Sequence, residues 1–119
     1  MRRPVAIAVV LVVAVPVAFV VEEAGRTLVA LRDVERERDT WQRADAVLRE
    51  LDLRPGATVV DFGSGAGYFA LKMAPRVGPR GRVFAVDLRR ESLTFLWIRA
   101  RLAWQSNLHA GGQCRRPRR

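Results

Sequence analysis

Val59-Val60-Asp61-Phe62-Gly63-Ser64-Gly65-Ala66-Gly67-Tyr68-Phe69 is the stretch that decides the fold, together with Asp87 at the end of a second apolar run. An apolar strand enters three alternating glycines and leaves as a helix. Glycines make a turn with no side chains in the way, so a small ligand can lie against bare backbone. The first turn of the helix adds free N–H groups that point out of its start. An acidic residue closing the next strand can accept hydrogen bonds from ribose hydroxyls, as in nucleotide-binding α/β units generally.

Outward from the loop, Thr58 to Phe62 has the uninterrupted apolar character of a strand buried in a parallel sheet. Tyr68 to about Val77 has an apolar helical face, and Pro75 is expected to kink that helix or end it early. Gly78-Pro79-Arg80-Gly81 marks a turn, and Arg82 to Asp87 is a second strand. A second helix follows from Glu91 to about Asn107, and the seven-residue spacing of Trp97 and Trp104 on it reads as core packing. Strand, helix, strand, helix at this spacing forms a right-handed βαβα unit.

The pattern of an acidic residue, one residue, and then G-x-G-x-G stands here at Asp61, Gly63, Gly65 and Gly67. With Asp87, it resembles the first half of a class I S-adenosylmethionine-dependent methyltransferase. The resemblance implies an α/β, partial Rossmann-like fold and S-adenosylmethionine as cofactor. It places the backbone of Gly63, Ser64, Gly65 and Gly67 under the methionine and ribose parts. Asp61 would then organise the loop and the cofactor's amino-acid end, Asp87 would take the ribose hydroxyls, and Leu88 would neighbour the adenine. A rival G-x-G-x-x-A dinucleotide fingerprint at Gly65-Ala66-Gly67-Tyr68-Phe69-Ala70 fits less well. It would put the Asp61 carboxylate beside an anionic pyrophosphate, whereas S-adenosylmethionine has no phosphate and carries a cationic sulfonium and an ammonium. The implied reaction is in-line displacement at the sulfonium methyl carbon, with the protein aligning the nucleophile. In relatives the residues that act on the acceptor come from later strands, so no catalytic base and no acceptor are assigned, and Tyr68 is read as packing at the helix start.

The resemblance runs from about Arg38 to about His109. Its amino-terminal piece, Arg38-Asp39-Thr40-Trp41-Gln42, resembles a segment that many such enzymes fold near the cofactor entrance, although many have Pro where this chain has Ala44. After His109 a third strand is due. The chain instead reads Ala110-Gly111-Gly112-Gln113-Cys114-Arg115-Arg116-Pro117-Arg118-Arg119, without strand periodicity. A frameshift or premature stop in a longer methyltransferase gene would produce such a tail, and a basic tail in its own right is the alternative. Two strands with two helices would leave sheet edges and one sheet face without partners, which makes independent stability doubtful.

Upstream, Val5 to Val21 is an unbroken apolar run behind Arg2 and Arg3. As a helix it would span about 26 Å, close to the hydrocarbon core of a bilayer. The expectation is a retained single-pass anchor; a cleaved signal followed by export, or a buried soluble segment, are the alternatives. Arg26, Arg32, Arg36 and Arg38 beyond the run favour a cytoplasmic C-terminal part. Glu22 to Leu51 reads as helix, broken near Gly25 and Thr40, with one apolar face from Leu28, Leu31, Val34, Trp41, Ala44, Val47, Leu48 and Leu51, and Pro55-Gly56 marks its stop. The expected organisation is an anchor or signal over 1–21, a helical region over 22–56, a partial methyltransferase domain over 57–109 and a basic tail over 110–119.

With 119 residues the chain holds at most one small domain. The net charge of +9 rests almost wholly on arginine, Lys72 being the single lysine. No aromatic-and-basic recognition motif accompanies it, so specific nucleic-acid binding is not expected, and the arginine usage fits a GC-rich genome. Cys114 and His109 are each single, so neither an internal disulfide nor a cysteine or histidine metal site is expected. The expected function is S-adenosylmethionine-dependent methyl transfer, with a non-catalytic membrane-tethered fragment or binding module as the alternative.

Overall fold

The computed structural model describes residues 2–111; the basic tail from Gly112 onward, with Cys114, lies outside them. The chain divides into two compact units between Gln42 and Arg43.

The first unit is one helix, α1 (Arg2–Gln42), which runs through Pro16 and Gly25 without a break. Its apolar half, from Ile7 to Val21, is exposed throughout. Its second half is laced by local ion pairs, Arg26 with Glu22 at 2.6 Å and with Glu23 at 3.3 Å. Spacings of three and four residues put such pairs side by side on a helix. Arg38 forks onto Gln42 Oε1 at 2.9 and 3.2 Å. The break expected near Gly25 is therefore not there, and the one expected near Thr40 comes three residues later. One glycine costs a helix only about 1 kcal/mol, which a helix of this length absorbs.

The break falls at Arg43, whose φ of 46° is left-handed. The residues expected to form one apolar face from Leu28 to Leu51 differ in burial. Ala44 and Leu48 are buried, while Val34, Trp41, Val47 and Leu51 are exposed.

The second unit begins with α2 (Ala44–Glu50) and continues as β1 (Thr58–Phe62), α3 (Ala70–Val77), β2 (Arg82–Val86), α4 (Arg90–Leu102) and β3 (Leu108–Ala110). The strands are parallel in the order β1-β2-β3. Thus the third strand, which the sequence does not announce, does begin. Its three residues lack a β-branched run, but pairing supplies what propensity does not. Val83 donates to Asn107 O at 2.9 Å, Gly111 donates to Ala85 O at 3.0 Å, and Leu108 is buried. Ala110 accordingly belongs to the sheet, not to the tail.

One face of the sheet carries Val59-Val83-Leu108 in register, and behind it Asp61-Ala85-Ala110. Against this face pack Leu48 of α2, Ala70, Met73, Ala74 and Val77 of α3, and Leu96 and Ala100 of α4. The other face carries Val60, Phe62 and Phe84, all exposed, with Phe84 stacked on His109 at 5.2 Å. The doubly buried strand expected at β1 is therefore covered on one side only among the described residues.

Pro75 lies within the last turn of α3 and neither kinks nor shortens it before Val77. Proline has no N–H to give the carbonyl of Leu71, four residues back. The side chain of Gln105 fills that place, its Nε2 donating to Leu71 O at 3.0 Å. Asn107 Nδ2 donates to Ala74 O at 2.7 Å and to Gly78 O at 2.8 Å. The α4–β3 connection thus closes the carbonyl end of α3. Helix α4 is shorter than expected, ending at Leu102, and it turns Leu93, Leu96 and Ala100 inward. Trp97 and Trp104 are not core: they are 50% and 93% exposed.

Candidate functional site

The site is built where β1 and β2 end side by side, Phe62 opposite Val86. Gly63 N and Ser64 N both donate to Val86 O, at 2.8 and 3.2 Å, so the chain stays tied to β2 as it leaves the sheet. Gly67 N then turns back to Ser64 O at 2.8 Å, and Leu71 N takes Gly67 O at 2.9 Å to start α3. The helix thus starts at Ala70, two residues later than the sequence suggests, because Tyr68 and Phe69 complete the turn.

Gly63, Gly65 and Gly67 have φ of +71°, +53° and +91°, all in the region that side chains disfavour. They differ in what surrounds them. A Cβ on Gly67 would run into Leu96 Cδ1, so this glycine lets α4 close on the loop. A Cβ on Gly63 or Gly65 would meet nothing within 4 Å, so their backbone faces open space.

Two carboxylates stand near the strand ends on either side of the loop in sequence, Asp61 in β1 and Asp87 just past β2. Asp87 Oδ2 accepts Gly65 N–H at 2.8 Å and Oδ1 accepts Arg89 N–H at 2.8 Å. These bonds, that of Arg89 first, hold the carboxyl below its ordinary pKa. Asp87 therefore clips the glycine loop in place, and each oxygen keeps a lone pair for a further donor. Asp61 has the opposite surroundings: burial raises its pKa, and the Ala70 N–H opposes this only in part. Its Oδ2 is buried with no hydrogen-bond partner among the described residues. An unpartnered buried carboxylate oxygen is costly unless something donates to it or neutralises it.

Of the other residues singled out in the sequence, Ser64 is buried, its Oγ 3.5 Å from Val86 O, so the loop offers its backbone and not its hydroxyl. Leu88 is fully exposed next to Asp87. Tyr68 is buried, packed edge-on to Phe69 at 4.9 Å, which is its packing role. Arg99 had no assigned role, yet its Nη1 donates to Ala66 O at 2.7 Å and ties α4 to the loop. Its one signal in the sequence is its position beside the inward stripe Leu93, Leu96 and Ala100.

The arrangement suits a ligand that lies on bare backbone, presents hydroxyls to Asp87 and brings positive charge or a donor to Asp61. S-adenosylmethionine has all three properties. Known proteins agree. The model of the protein-L-isoaspartate(D-aspartate) O-methyltransferase family matches residues 41–102. The protein-L-isoaspartate O-methyltransferase of Methanothrix thermoacetophila is 51% identical over 37 residues, 31% of this chain and 18% of its own. A ribosomal RNA large subunit methyltransferase E of Nitratidesulfovibrio vulgaris is 42% identical over 53 residues, 40% of this chain and 26% of its own. Among solved structures, a SAM-dependent methyltransferase of Aquifex aeolicus superposes with a TM-score of 0.56 at 27% identity, over 68% of this chain and 46% of that one.

Fold and glycine loop together define a class I S-adenosylmethionine-dependent methyltransferase domain, and S-adenosylmethionine is its expected cofactor. Within that class the family model covers more than half of the chain, and the chain belongs to the protein-L-isoaspartate(D-aspartate) O-methyltransferase family. It spans less than half the length of each of these relatives.

Proposed function

We propose that this chain is the cofactor-binding half of a membrane-anchored methyltransferase. The observation that carries the reading is the buried Oδ2 of Asp61, without a partner among the described residues, together with the open backbone at Gly63 and Gly65. When bound, S-adenosylmethionine supplies a methyl group already activated by the sulfonium. The chain's own residues bind and orient that donor. The glycine backbone supports it, Asp87 takes the ribose hydroxyls with its remaining lone pairs, and Asp61 meets the positively charged amino-acid end. Arg99 and Leu96 keep the loop in shape through Ala66 and Gly67.

The acceptor is the part this half of the site specifies least. Relatives named for a protein and for an RNA substrate both match parts of this chain, so the likeness by itself does not select the acceptor. Family membership makes an isoaspartyl carboxylate the acceptor to test first. A carboxylate is already ionised at neutral pH, so its methylation needs alignment more than a base.

The anchor reading is supported by the exposed apolar length of α1, which is long and apolar enough to cross a membrane. The arginines that follow it favour a cytoplasmic C-terminal part. Calorimetric titration of the full chain with S-adenosylmethionine tests the site. Saturable binding that Asp61→Asn weakens supports the donor-site reading, and no binding overturns it. Methyl transfer to an isoaspartyl peptide separates an active enzyme from a tethered binding module. Retention of the chain in vesicles through an alkaline carbonate wash tests the anchor.

A further inference from the structure

The outward face of α4 and the turn after it do not serve the glycine loop, and their composition is unusual for a solvated surface. Trp97, Ile98 and Leu102 are 50%, 41% and 65% exposed, and Trp104 is 93% exposed. Arg101 lies over the Trp97 ring at 5.2 Å, and Arg90 is exposed at the start of the same helix. Beside them, a groove of about 300 Å³ opens between α4 and β3, lined by Trp97, Arg101, Ser106 and His109 among others.

Trp104 also sits in strained backbone. Gln105 N–H reaches back to Ala100 O at 2.9 Å and Trp104 N–H to Arg101 O at 3.1 Å, which closes α4 with a left-handed residue. Glycine is the residue that suits this position. Here a tryptophan occupies it at φ +57°, at a backbone cost and with its ring in solvent.

We infer that this face is a membrane-surface site that takes anionic lipid, the aromatic and aliphatic side chains entering the interface while Arg90 and Arg101 meet headgroup phosphates. Tryptophan has the apolar body and polar N–H suited to that layer, and arginine pairs with phosphate in fork geometry. The aliphatic Ile98 and Leu102 favour lipid over nucleic acid, whose bases stack on aromatic planes and whose backbone seeks charge. The inference rests on the proposed anchor, which would keep this unit close to a bilayer, and on the chain's charge of +9. A cytoplasmic leaflet carries the complementary negative charge.

The test uses the full chain with Trp41→Phe, so that Trp97 and Trp104 are the two remaining indoles. It is reconstituted in phosphatidylcholine vesicles with brominated acyl chains, with and without phosphatidylglycerol. Expected are stronger quenching and a blue shift in the phosphatidylglycerol vesicles, both receding as salt is raised. Arg101→Gln should weaken the phosphatidylglycerol dependence by about fivefold. Trp104→Gly should lose its share of the quenching while the melting temperature holds or rises, which separates lipid contact from folding. Equal quenching in the two vesicle types, from chain that survives a carbonate wash, overturns the lipid site and leaves the anchor standing. Phosphatidylglycerol-dependent quenching from chain that carbonate extracts sustains the site and overturns the anchor. An emission shift with a short RNA and none with phosphatidylglycerol makes the face a nucleic-acid surface and overturns the inference.

Discussion

Asp61 and Asp87 stand at the ends of neighbouring strands, and their surroundings push them in opposite directions. Burial raises the pKa of Asp61, so the folded state holds its proton more tightly than the unfolded chain does. Its contribution to stability therefore falls as pH rises from the ordinary carboxylate value through the raised one. Asp61→Asn should consequently leave the thermal midpoint at neutral pH unchanged or raised while weakening cofactor binding. Scanning calorimetry and a binding titration on the same sample check both halves of that statement. In the native chain, affinity for the cationic donor should drop as pH falls through the raised pKa, and the Asn variant should lose that dependence. Asp87 has its pKa lowered, so its clip on Gly65 is complete above the ordinary value and is lost only below it, as pH falls through the lowered one. At Gly67 the demand is steric. Gly67→Ala meets both a φ of +91° and Leu96, and should cost about 2–4 kcal/mol, measured by denaturant unfolding. The glycine loop and the strand-end acids were legible in the sequence as a pattern. Which glycine faces open space and which faces a helix was not, since that depends on Leu96 arriving from another element.

Among the elements, the helices show where local signals give way to tertiary ones. Pro75 predicts damage to α3, and the damage is repaired from the α4–β3 connection by Gln105 and Asn107. Gln105→Leu should leave Leu71 O without its partner and cost about 1–3 kcal/mol in denaturant unfolding. The same change with Pro75→Ala, which restores the backbone donor, should recover part of that loss. Strand β3 was missed for a related reason: its residues have no strand pattern, and its stability comes from pairing with Val83 and Ala85.

At the scale of the molecule, the described residues cover one face of the sheet and leave the other open, where Phe62 is 80% exposed and Val60 47%. Phe62→Ser should lower aggregation, read by light scattering, with little change in melting temperature, because that side chain buries little to lose. The strand–helix order and the βαβα core followed from hydrophobic period and turn residues. Which sheet face is open did not, because β1 reads as apolar on both sides. The central claim is that this chain carries a donor site in its own right. Isothermal titration of the full chain with S-adenosylmethionine, beside Asp87→Ala, tests it most directly. The account predicts saturable one-site binding that the Asp87 variant weakens about tenfold or more, since a hydrogen bond to a charged group is worth about 1.5–3 kcal/mol. No saturable binding, or equal affinity in the two proteins, would contradict it.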